Sequence, residues 1–128
     1  MSKLFYDSDL DYLEIFFKRS PNYGEDLNRN ITIFKSESKG EIIGYGIYRP
    51  GKTILSFSEL QIKDKIGVLC FLHRRKMALT EKEFAAKIGI NYRTYQRIEE
   101  GKISKIDDLI KIMKILKERD LSKIIKAS

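Results

Sequence analysis

The apolar positions of this 128-residue chain follow two different periods, one after the other. Through about residue 55 they come in short runs of aromatic and β-branched side chains, broken by Gly, Pro, Asn and Ser. Leu4-Phe5-Tyr6, Tyr12 to Phe17, Ile31 to Phe34 and Ile42 to Tyr48 each read as a strand. Asp7-Ser8-Asp9, Ser20-Pro21-Asn22 and Glu37-Ser38-Lys39-Gly40 read as turns, the last a short glycine-containing hairpin loop. These connections are too short for parallel crossovers, so residues 1–52 are predicted to form a small antiparallel β-meander. A sheet of four strands cannot cover both its faces. One of them must pack on the rest of the chain or on a second subunit.

Arg49-Pro50-Gly51-Lys52 breaks the strand pattern and marks a boundary, with residues 53–61 reading as a linker or an extra strand. From about Leu60 the period becomes helical, and residues 62–128 make a second domain. The predicted fold class is therefore α+β, a sheet followed by a helical bundle. No internal repeat or low-complexity tract interrupts it.

The stretch Thr80 to Gly101 carries the strongest local signals. Thr80 followed by Glu83 is a capping box, in which hydroxyl and carboxylate each satisfy a backbone amide of the other residue. Phe84, Ala85 and Ile88 then form the inward stripe of a two-turn helix, and Gly89 stands where a left-handed stop is needed. Asn91 caps a second helix, with Tyr95 and Ile98 inward, and Gly101 ends it. Helix, glycine turn, helix is the plan of a helix-turn-helix. On the second helix the outward set is Tyr92, Arg93, Gln96 and Arg97, near the end that enters the major groove in such motifs. Arginine matches guanine O6 and N7 with two donors, and glutamine does the same for adenine N6 and N7. Thr94 is placed to meet a base edge, a thymine methyl or a phosphate. The amides at the helix starts near Thr80 and Asn91 are natural phosphate anchors, and Lys102 and Lys105 follow just beyond. A solvated basic face of an ordinary bundle is the competing account of the same residues.

Charge sharpens this division. The net charge is +7, but residues 1–60 hold 8 basic and 9 acidic side chains while residues 61–128 hold 17 and 9. A polyanionic partner is expected for the second part alone. The lone cysteine, Cys70, excludes an internal disulfide and suits a reducing cytosol. An acid at Asp7 precedes any long apolar run, so no signal peptide is expected, and no stretch approaches the about 20 apolar residues of a membrane span. A cytoplasmic protein is expected.

Residues ~62–126 resemble the XRE, or Cro/C1-type phage-repressor, helix-turn-helix family. The resemblance runs through Asp64 to Lys76 as first helix, Thr80 to Ile88 as second and Asn91 to Glu100 as third. Ile106, Leu109, Ile112, Met113 and Leu116 match the fourth, and Leu121, Ile124 and Ile125 the fifth. Two places depart from the family pattern. Glu81 stands where a phosphate-holding glutamine is common, and Lys117-Glu118-Arg119 replaces a glycine that often ends the fourth helix. The N-terminal part is similar to the small β domain DUF2283 through Tyr6-Asp7 to Ile15 and Gly40 to Ile47, a likeness that implies a fold and no function. The resemblance implies a regulator, acting as a repressor, that binds palindromic double-stranded DNA as a homodimer. It also admits an antitoxin that binds a toxin protein through the β domain and autoregulates its operon.

Other chemistry finds less support. Asp7, Asp9, Asp11 and Glu14 lack the glycine and final carboxylate of a calcium loop, since those positions hold Tyr12 and Lys18. Cys70 and His73 alone do not make a zinc site, and a core cysteine beside a surface histidine is the better account. With one His, one Cys and no nucleophile motif, neither an enzyme nor a cofactor is predicted. Arg74-Arg75-Lys76, at the end of the first helix, suits the helix dipole as well as a phosphate. The stripe Ile106, Leu109, Ile110, Met113 and Leu116 reads as core. Together with Ile115, Leu121, Ile124 and Ile125 it supplies more apolar surface than one such bundle can hide.

Overall fold

The computed structural model describes residues 3–102 and 105–116. The chain forms two compact units, Met1–Ile54 and Leu55–Ser128. The first is a five-stranded antiparallel sheet of β1 (Lys3–Asp7), β2 (Tyr12–Phe16), β3 (Asn22–Asp26), β4 (Ile31–Ser36) and β5 (Ile42–Tyr48), closed by a short helix α1 (Pro50–Thr53). The second carries α2 (Ile62–Lys76), α3 (Glu81–Ile88), α4 (Tyr92–Glu99) and α5 (Ile106–Ile115). The α+β arrangement is the one the periodicity predicts.

The sheet differs from a simple four-stranded meander in two ways. Its order is β1-β2-β5-β4-β3, so the chain leaves β2, runs to the far edge, and returns through β4 to pair β5 with β2. The extra strand, β3, begins at Asn22, where the sequence reads as a turn. All five of its residues are exposed, and no alternation marks it. Pairing with β4 holds it in place, aided by Glu25–Lys35 at 2.5 Å and by Thr32 Oγ1 donating to Asp26 at 2.9 Å.

Central strand β5 is buried from Ile43 through Ile47 because both of its faces are covered. On one face Ile43, Tyr45 and Ile47 join Leu13 and Ile15. On the other, Gly44 and Gly46 leave room for rings of β2 to lie on the backbone. Phe16 lies over Gly44, where an added Cβ would stand 2.7 Å from its Cδ1, and the Tyr12 hydroxyl occupies the corresponding space at Gly46. Phe16 also stacks on Phe34, with centroids 5.0 Å apart, and Tyr12 tilts against Tyr48 at 4.7 Å. Aromatic rings thus replace the side chains that the central strand lacks.

The acids near the N-terminus work inside the β1–β2 turn. Asp7 Oδ1 accepts from the amides of Asp9 and Leu10, and Tyr6 donates to Asp11 at 2.6 Å. After β5, Arg49 adopts a left-handed conformation and Pro50 opens α1, followed by a single tight turn, Ile54–Ser56. The extra strand considered for residues 53–61 is not formed; Pro50 presets a helical φ instead. α2 starts at Ile62, two residues before Asp64, without a side-chain cap. Its buried run Ile66, Val68, Leu69, Cys70 and Phe71 belongs to the core of this unit, as do Phe84, Ala85 and Ile88 of α3, Tyr95 and Ile98 of α4, and Ile112 of α5.

α5 corrects the expected core stripe. Ile112 and Leu116 are buried, whereas Ile106, Ile110 and Met113 are 76%, 46% and 44% exposed. Apolar residues surround this helix on nearly every side, so its inward face could not be read from spacing. The expected fifth helix and Lys117-Glu118-Arg119 lie outside the described residues.

Candidate nucleic-acid interface

Local sequence builds the helix pair step by step. Thr80 Oγ1 accepts from the Glu83 amide at 3.1 Å, and Glu83 Oε1 accepts from the Thr80 amide at 3.0 Å, completing the capping box. Those hydrogen bonds hold the Glu83 carboxyl below the usual carboxylate range. α3 stops at Gly89, whose φ of +85° is natural only for glycine. There the Ile90 amide reaches back to Ala85 at 3.0 Å and Lys111 of α5 donates to the Gly89 carbonyl at 2.9 Å. Asn91 then caps α4, accepting from the Arg93 amide at 2.9 Å.

α4 is divided sharply by burial. Tyr95, Ile98 and Glu99 are buried, Tyr92, Arg93 and Arg97 are exposed, and Thr94 and Gln96 are half-buried at the margin. The outward set of the sequence reading therefore shares one surface of one helix, with Asn91 at its start and Lys102 exposed beyond its end. Lys105, at the start of α5, is exposed as well. Thr80 sits at the start of α3 with its hydroxyl already used by the cap. The two helix starts differ electrostatically. The first turn of α3 carries Glu81 and Glu83, whereas that of α4 carries no acid. Only the α4 terminus keeps its partial positive charge free of a competing carboxylate, which makes it the better anion anchor.

A buried polar network fixes this helix from behind. Arg74 of α2 donates from Nε and Nη2 to the two oxygens of Glu99, at 2.7 and 3.1 Å, and from Nη1 to the Leu79 carbonyl at 3.1 Å. The Tyr95 hydroxyl also donates to Glu99. Burial opposes the charge on Arg74, and the Glu99 carboxylate more than offsets it, so the guanidinium is held above its ordinary value. Burial, then the Glu99 charge, pushes the Tyr95 hydroxyl up. Arg74 thus faces inward and leaves the group of possible phosphate contacts. Glu81 joins the network from α3, its carboxyl raised by burial and then by the neighbouring Glu99 charge. The glutamate that stands where a phosphate-holding glutamine is common is therefore partly turned toward the protein.

Sequence reasoning missed this network because its partners lie far apart in the chain, and a basic run at a helix end has a local explanation. It also missed Gly67. A Cβ there would lie 2.6 Å from the Ile98 carbonyl and 3.0 Å from that of Glu99, so α2 and α4 approach backbone to backbone. Glycine inside a helix is usually a cost, and here it permits the crossing. Cys70 is fully buried, and burial pushes its thiol up. Among the described residues no helix is long and apolar enough to cross a membrane.

No curated protein and no solved structure matches the chain. A family profile described as helix-turn-helix, HTH_3, matches residues 73–124, beginning within α2 and running through α3, α4 and α5. Residues 73–124 are thus similar to helix-turn-helix domains of the XRE/Cro-C1 type.

Proposed function

We propose that the chain is a transcriptional regulator that binds specific double-stranded DNA with α4 in the major groove. Tyr92, Arg93, Gln96 and Arg97 read base edges, with Thr94 at the margin of that surface. The amides near Asn91, with Lys102 and Lys105, hold phosphates, and Thr80 contributes through the α3 terminus. The observation that carries this reading is the division of α4: Tyr95 and Ile98 face in, and the outward hydrogen-bonding set is continuous with an acid-free helix start. One helix reads only a few base pairs, so useful specificity calls for a homodimer on a palindromic operator, and repression is the simplest outcome of such occupancy. The role is one of binding, without catalysis, in the cytoplasm. Selection of bound DNA from a random duplex pool tests it. Enrichment of a two-fold symmetric site is expected, and failure to enrich any sequence overturns it.

A second reading, an antitoxin that grips a toxin protein and autoregulates its operon, is favoured by the separate sheet unit and its exposed edge β3. That edge offers unpaired backbone groups to a partner strand. Co-purification of a stoichiometric small protein from the native host distinguishes this reading. The likeness of the sheet to DUF2283 is kept as part of the same proposal.

A further inference from the structure

We propose that the sheet unit holds a nucleotide-binding cleft at the end of β2, taking a base against the Phe17 ring and a phosphate among its cations. The cleft, about 490 Å³, opens where β1 begins, β2 ends and the chain crosses toward β3. This volume falls within the range of small-molecule sites. Lys3, Lys18 and Arg19 supply positive charge, Phe16 and Phe17 the rings, and Asn22 an amide. Among the described residues no acid lines it.

Three features converge on this ligand class. First, the charge is local: residues 1–60 carry one more acid than base, yet three of their eight cations surround one cleft. Lys18 pairs with Glu41 at 2.7 Å, whereas Lys3 and Arg19 have no hydrogen bond or ion pair among the described residues. Second, the Phe17 ring is held in place. Phe17 stands edge-on to Tyr45 at 6.1 Å, while Phe16, on the opposite face of the sheet, is already engaged by the backbone at Gly44 and the stacked Phe34 ring. A preset ring loses little freedom when a base stacks on it. Third, Asn22 donates its Nδ2 to the Ser20 carbonyl at 2.9 Å, which orients the amide and leaves Oδ1 as an acceptor for a base amino group. An aliphatic polyanion would not use the ring, and a neutral apolar ligand would not use the cations. A planar base joined to phosphate uses both.

A free mononucleotide and the end of a single strand present this same chemistry. The test titrates the full chain with fluorescent etheno-AMP, and separately with a short single strand ending in 5′-phosphorylated ethenoadenosine. Saturable quenching is expected, with inorganic phosphate a far weaker competitor. The double variant Lys3→Glu, Arg19→Glu should lose about tenfold or more in affinity, the scale of lost charge-assisted contacts. Lys39→Glu, in the exposed β4–β5 turn, should leave it unchanged. Comparable saturation by both probes assigns a free nucleotide, and much tighter binding of the strand assigns a strand end; either supports the cleft when the Lys3→Glu, Arg19→Glu variant loses it. Absence of saturable quenching, equal competition by phosphate, or full affinity in the Lys3→Glu, Arg19→Glu variant overturns it.

Discussion

Arg74 and Glu99 meet across the α2–α4 crossing as a two-pronged pair, both side chains about nine-tenths buried, and the Tyr95 hydroxyl closes the same carboxylate. Removing one partner leaves a buried charge that solvent cannot reach. Arg74→Ala should destabilise the helical unit by about 3 kcal/mol, while Arg74→Met with Glu99→Leu should cost clearly less. Urea unfolding followed by circular dichroism checks the difference. Equal losses would show that packing, not charge pairing, sets the cost.

Gly67→Ala separates two opposing effects. In an open helix the change would stabilise by up to about 1 kcal/mol. Here the new Cβ meets the Ile98 carbonyl at 2.6 Å, so a net loss of about 1–3 kcal/mol is expected, with weaker DNA binding because α4 must shift. A rise in melting temperature would remove the close crossing from the account.

Glu81→Gln should act differently at different pH. Burial and then the Glu99 charge raise the Glu81 carboxyl in the folded chain, with Glu100 adding to this and Arg74 opposing it. The unfolded chain therefore ionises first, and this residue's contribution to stability falls as pH rises from the ordinary glutamate value through the raised one. The neutral amide of the variant avoids that loss, so its advantage over the parent should be absent in acid and full at neutral pH. Its DNA affinity should also rise at neutral pH, since a charge near the backbone phosphates is gone. Parallel stability curves against pH would contradict the raised carboxyl.

Arg93→Ala and Arg97→Ala should each weaken specific binding by about 1–3 kcal/mol where a two-pronged base contact is lost, without altering folding, because both side chains are exposed. Lys102→Ala should instead weaken all sequences alike and flatten the dependence on salt. Gel-shift titrations at several salt concentrations distinguish the two patterns.

Lys65 lies fully buried on α2 with no hydrogen-bond partner for its Nζ among the described residues. Burial lowers its ammonium, opposed by Glu59. The unfolded chain then holds this proton more tightly, so stability should rise with pH from the lowered value up to the ordinary lysine value. Lys65→Met should be more stable than the parent at neutral pH, and the gap should close in alkali. A destabilised variant would show that the ammonium does have a partner.

What the sequence made legible was local. Thr80 with Glu83, Gly89 and Asn91 each act within a few residues, so their roles in α3 and α4 could be read directly. β3 escaped because an edge strand needs no apolar face, and Asn22 to Asp26 are held by pairing alone. The β2–β5 pairing joins Leu13 to Ile47, a separation that no local pattern encodes. Arg74 was ambiguous for the same reason, its partner lying 25 residues away. On α5 the difficulty was excess, because apolar residues at Ile106, Leu109, Ile110, Ile112 and Met113 fit more than one face.

The division of α4 has an evolutionary consequence. Tyr95, Ile98 and Glu99 hold the helix, and Tyr92, Arg93, Gln96 and Arg97 do not take part in that anchoring. Substitutions on the outer surface can therefore accumulate at little thermodynamic cost, so the target site of such a protein is free to drift, or to be reprogrammed, while the scaffold stays constant.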